Sequence, residues 1–140
     1  MKALIIDGQG GQLGGQIIKL LKANFAELDI IAVGTNATAT ATMLKAGAKQ
    51  AATGENSVIV VCRKADIIIG PIGIVVADAM LGEVTPQMAT AVGQADAVRL
   101  LLPVNKCDNI IVGISDISVT DVLQDMLIKA KDVIAKGKVC

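Results

Sequence analysis

The residues best placed to do chemistry lie near the start of the chain, in Asp7-Gly8-Gln9-Gly10-Gly11-Gln12-Leu13-Gly14-Gly15-Gln16. They follow Ala3-Leu4-Ile5-Ile6, an apolar run short enough for a buried strand. They precede Ile17-Ile18-Lys19-Leu20-Leu21, whose apolar positions fit one helix face. Glycines between a first strand and a first helix let the backbone approach a phosphate group closely. The helix N-terminus behind them offers unpaired N–H donors and a positive dipole end. Gly8, Gln9, Gly10, Gly11, Gln12, Leu13 and Gly14 are therefore the expected contacts to a nucleotide or dinucleotide phosphate. The pattern G-x-G-x-x-G requires glycine where the chain has Leu13, whereas Gly8-x-x-Gly11-x-x-Gly14 fits the sequence as it stands. No Gly-Lys-Ser/Thr follows, so the loop is not a P-loop. The alternative is a turn whose glycines only let the first helix pack closely on the sheet. The ligand reading expects Gly11→Val to abolish nucleotide binding in a chain that still folds.

Two further loops follow predicted strands, where open α/β sheets bind ligands. Gly34-Thr35-Asn36 holds no acid for an adenosine ribose, and Thr35 and Asn36 could donate to a ribose or a 2′-phosphate, which points to NADP over NAD. Either residue could instead cap a helix. Gly70-Pro71-Ile72 would form a rigid wall beside the far half of the ligand, or be ordinary strand-to-helix punctuation. Acid–base or nucleophilic chemistry would fall to Asp7, Glu55, Lys106 or Cys107. There is no histidine and no tyrosine, so histidine triads and a Tyr-x-x-x-Lys pair are excluded.

The elements that must position these loops alternate. Strands are expected near 2–6, 29–34, 49–52, 66–70, 98–103 and 109–115. Helices are expected near 11–23, 37–46, 55–64, 73–81, 86–96 and 119–136. This is the order of an α/β, Rossmann-like three-layer domain over 1–140, with a mainly parallel sheet of about six strands. The stretch from Leu102 to Asn109 is too short for a crossover helix, so the last two strands should form an antiparallel edge hairpin. Ser118 with Asp121 reads as the cap of the last helix and Gly137 as its end; Thr85 caps a helix that has Pro86 at its first position.

Composition narrows the partners. Hydrophobic residues make up 53% of 140, yet no apolar run is long enough for a membrane span. The excess predicts a homo-oligomer, most simply a dimer, with Ile72–Leu81 as its interface. Thirteen basic residues balance thirteen acidic ones and Phe25 is the only aromatic, which argues against a nucleic-acid partner. Cys62, Cys107 and Cys140 are odd in number and widely spaced. With no leader-like start, they suit a reducing, cytoplasmic setting. Beside Lys106 on a hairpin tip, Cys107 should react faster than Cys62.

The glycine spacing resembles that of extended short-chain dehydrogenases/reductases, a likeness confined to the first third. Over nearly the whole chain, Asp7-Gly8-Gln9-Gly10-Gly11, Gly34-Thr35-Asn36, Thr53-Gly54-Glu55-Asn56, Gly70-Pro71-Ile72-Gly73-Ile74, Leu81-Gly82-Glu83 and Asn105-Lys106-Cys107 resemble a family of short bacterial Rossmann-like proteins of unknown function, mainly from anaerobic Gram-positive bacteria. The first resemblance implies NAD(P) binding; the second implies a fold and brings no assigned activity, so it carries over no catalytic residue. Two readings stand together: a nucleotide-binding or regulatory module, and a small NAD(P)-dependent oxidoreductase or other nucleotide-using enzyme.

Overall fold

Runs such as Ala3–Ile6 and Ile67–Ile69 are apolar at every position, which suits strands covered on both faces. The computed structural model describes residues 1–104, 106 and 108–137. Its elements are β1 (Lys2–Asp7), α1 (Gln12–Asn24), β2 (Asp29–Gly34), α2 (Ala37–Ala46), β3 (Gln50–Thr53), α3 (Glu55–Cys62), β4 (Ile67–Pro71), a 3₁₀ turn (Ile72–Val75), α4 (Pro86–Gln94), β5 (Val98–Leu102) and α5 (Val119–Lys136). The strands form one sheet in the order β3-β2-β1-β4-β5, and every pairing is parallel. The order reverses at β1, so the crevice between the ends of β1 and β4 is where such a sheet accepts a ligand.

Pleating divides β1 between two cores. Ala3 and Ile5 join Ile17, Ile18 and Leu21 of α1 and Met126 and Ala130 of α5. Leu4 and Ile6 join Val58 of α3, Met88 and Val92 of α4, and Met80. Each fully buried isoleucine or leucine contributes roughly 1.5–3 kcal/mol. The helix starts are built locally: Asn36 Oδ1 accepts from Ala39 N–H at 2.8 Å, Thr85 Oγ1 from Met88 N–H at 3.1 Å, and Ser118 Oγ from Asp121 N–H at 3.1 Å.

Two expected elements are corrected. The sheet has five strands among the described residues, and the expected strand at 109–115, with its antiparallel hairpin, is not formed. Pro103 ends β5 without an N–H, and Asp108 and Gly113 take φ of 52° and 88°, which bends the following run away from the open edge of β5. The helix expected over 73–81 is a single 3₁₀ turn. The β-branched run Ile74-Val75-Val76 is a poor helix former, and Asp78, Met80 and Leu81 then adopt φ of 65°, 57° and 58°. That bend drops Ala79 and Met80 into the core. Ile74, Ala79 and Met80 are thus interior to their own subunit, which removes them from the interface expected at Ile72–Leu81; Leu81 alone is fully exposed there.

Candidate functional site

At the end of β1 the buried Asp7 organises the glycine loop. Its Oδ1 accepts from Gly8 N–H at 2.8 Å and its Oδ2 from Gly14 N–H at 2.7 Å, so one carboxylate ties the strand to the third residue of α1. Burial pushes its pKa above the ordinary value; the bonds from Gly14 and Gly8 oppose that shift, and the nearby charge of Glu83 adds to it.

The glycines have different reasons to be glycine. A Cβ on Gly8 would lie 2.6 Å from Thr35 Oγ1, one on Gly11 2.7 Å from the Ala39 backbone, and one on Gly14 2.6 Å from Met43 Sδ. Gly11 also has φ of 73°. These three positions serve close approach of the protein to itself. Gly10 differs, because its Cβ would meet only Gln12 Cγ, at 4.0 Å. Among the described residues, no acceptor meets the N–H of Gly10, Gln12 or Leu13. The same residues, with Asp7, Gly8, Gln9, Gly11, Gln16, Val104 and Val119, line an open cleft of about 340 Å³. It sits at the N-terminus of α1, where unpaired donors and the helix dipole favour an anion. A larger concavity of about 730 Å³ between α3 and α4 draws no residue from the loops after β1, β2 or β4.

Thr35 and Asn36 are engaged elsewhere. Both donate to one oxygen, Glu83 Oε1, Thr35 Oγ1 at 2.9 Å and Asn36 Nδ2 at 2.5 Å; Gln9 N–H donates to the same atom at 3.0 Å. Partial burial works against the Glu83 charge, but the bonds from Asn36, Gln9 and Thr35 outweigh it and hold the pKa below its ordinary value. Asn36 Nδ2 also reaches Gln9 O at 2.9 Å. The acid absent from the end of β2 in sequence is supplied by the loop before α4.

The expected wall at Gly70, Pro71 and Ile72 does not line the cleft. A Cβ on Gly70 would lie 2.4 Å from Ile6 O, so that glycine allows β4 to approach β1. Pro71 stands in register with Leu102, and Ile72 opens the 3₁₀ turn. Glu55 accepts from Thr85 Oγ1 at 2.7 Å and, like Lys106, does not line the cleft. Cys107 and the hairpin tip expected around it lie outside the described residues. The expected site residues did not include Glu83, Val104 or Val119. No sequence signal ties Glu83 to the loops after β1 and β2, whose donors lie 74 and 47 residues away in the chain. Among the described residues, no group of His, Cys, Asp or Glu is placed to hold a metal ion, and no helix is long and apolar enough to cross a membrane.

Residues 2–135 match the family described as Domain of unknown function (DUF3842), and the chain belongs to that family. No curated protein matches it. Among solved structures it is similar to a dodecameric FMN-dependent UbiX-like decarboxylase from Escherichia coli O157:H7, with 12% identity and a TM-score of 0.47, covering 96% of this chain and 94% of that one.

Proposed function

We propose that the protein is a one-domain, cytoplasmic binding or regulatory module that takes the phosphate of a nucleotide or dinucleotide at the N-terminus of α1. The observation that carries this reading is the set of N–H groups of Gly10, Gln12 and Leu13, which among the described residues meet no acceptor and border an open cleft at the N-terminus of α1. NADP and NAD are the dinucleotides expected from the sequence. The geometry does not single them out, because Thr35 and Asn36 give their donors to Glu83. The module reading is favoured over the enzyme reading because Glu55 and Lys106 stay outside the cleft, and Asp7 is spent on the loop itself. Thermal shift with NAD, NADP, FAD, ATP and S-adenosylmethionine tests the reading, since a ligand of the native state raises Tm by mass action. A nucleotide should raise the Tm of the wild-type chain and not that of Gly10→Val, whose added side chain enters the cleft. Equal shifts in both proteins, or none in either, would remove it.

A homo-oligomer, most simply a dimer, is part of the same proposal, with its interface moved. Ile110 and Val112 are 91% and 93% exposed, and Ile114, Ile117 and Val119 of the same segment are also exposed. Exposed apolar side chains recurring along one segment are what interfaces use.

A further inference from the structure

We propose that Glu83 is an internal stand-in for a ligand oxyanion: its carboxylate occupies the donors Gln9 N–H, Thr35 Oγ1 and Asn36 Nδ2 until a nucleotide phosphate displaces it. The inference rests on the nucleotide reading above and extends it: the α1 cleft takes one phosphate of the ligand, and a second phosphate takes the donors that Glu83 now holds. Three donors from two separate loops converge on one oxygen, Glu83 Oε1, at 3.0, 2.9 and 2.5 Å. Convergence of a backbone N–H, a hydroxyl and an amide on a single oxygen is how a phosphate oxygen is held. Here the oxygen is the protein's own. No salt bridge among the described residues includes Glu83 or Asp7, so these neutral donors alone hold the Glu83 charge against the repulsion of Asp7.

The carrier of this carboxylate is held by its own backbone, and the side chain by those three donors alone. Asp78 N–H donates to Val84 O at 2.8 Å and Val84 N–H to Ala79 O at 3.2 Å, closing the segment on itself. Met80 and Val84 anchor it in the core. Leu81 and Gly82, just before Glu83, are exposed, and Glu83 is only half-buried. Release therefore requires rotation of one side chain towards water, with the backbone in place. The contact is autoinhibitory in that it occupies donors the ligand would otherwise use.

The test compares wild type with Glu83→Ala by calorimetric titration with ATP and, separately, with inorganic phosphate, following the Gln9 amide by ¹⁵N NMR. Removing the stand-in should tighten binding at least about tenfold. The Gln9 amide should shift in the variant and return towards its wild-type position as phosphate is added. If Glu83→Ala fails to fold, Glu83→Gln keeps an acceptor while removing the charge, and it should bind ATP more tightly than wild type by a smaller factor. Binding to wild type and variant with equal affinity overturns the stand-in alone. Weaker binding by the variant also overturns it and makes Glu83 a ligand contact. Absence of binding by both proteins overturns the stand-in together with the nucleotide reading.

Discussion

Asp7 Oδ2 and the backbone N–H of Gly14 lie 2.7 Å apart, so the last residue of β1 caps the helix that follows it across six intervening residues. No serine or threonine stands at the start of α1, whose N-cap is Gly11. The strand's own carboxylate does that work, and the glycine loop is the length of chain needed to bring it there. Asp7→Asn keeps the shape but turns an –NH₂ towards Gly8 or Gly14, leaving one buried N–H facing another donor. The expected loss is about 2–3 kcal/mol of stability, measured by urea unfolding. A loss below about 0.5 kcal/mol would show that the cap is dispensable.

Asp7 and Glu83 should bend the pH profile of stability in opposite directions. The pKa of Asp7 is raised in the folded chain, so the native state holds the extra proton and stability falls as pH rises from the ordinary 3.8 through the raised value. The pKa of Glu83 is lowered, so its contribution is complete above the ordinary 4.5 and is lost as pH falls through the folded value. Urea midpoints of Asp7→Asn should lack the first slope, and those of Glu83→Gln the second. Identical profiles for wild type and both variants would contradict the assignment.

Gly10 and Gly11 should separate binding from folding. Gly11→Val was expected from sequence to block the ligand in a folded chain. The structure corrects this, because φ of 73° and a Cβ 2.7 Å from the Ala39 backbone make the valine a folding defect of about 3 kcal/mol or more. Gly10→Val meets no such contact and should keep Tm within a few degrees. Unfolding curves of the two variants, run side by side, check the contrast.

Charge placed in the exposed apolar strip should break the proposed dimer. Ile110→Asp with Val112→Asp should give 14.3 kDa by light scattering where the wild type gives twice that mass. A wild-type chain that scatters at 14.3 kDa at micromolar concentration removes the oligomer instead.

Cys62 should be inert in the native state. Burial alone pushes its thiol up to about 11, and the thiolate is the reactive form. Brief iodoacetamide treatment followed by mass mapping should leave Cys62 unlabelled until the chain is unfolded.

Local signals in the sequence determined the parallel α/β alternation, the first strand and helix, and the caps at Asn36, Thr85 and Ser118. They are legible because an apolar period, a proline at a first helical position or a capping hydroxyl acts within a few residues of itself. The glycine loop was legible for the same reason. What each glycine is for was not, since Ala39, Met43, Ile6 and Thr35 come near Gly11, Gly14, Gly70 and Gly8 only after α2, β1 and β2 have packed. Local chemistry and burial together decided 73–81, where the β-branched run Ile74-Val75-Val76 and the burial of Ala79 and Met80 replaced the expected helix with a 3₁₀ turn. Tertiary structure decided 109–115, where an apolar run found no partner strand. The site itself shows the division most clearly. Gln9, Asn36 and Glu83 are separated by 27 and 47 residues, and only the sheet's order, β2 beside β1 and the loop before α4 folded over both, brings their polar atoms to one oxygen.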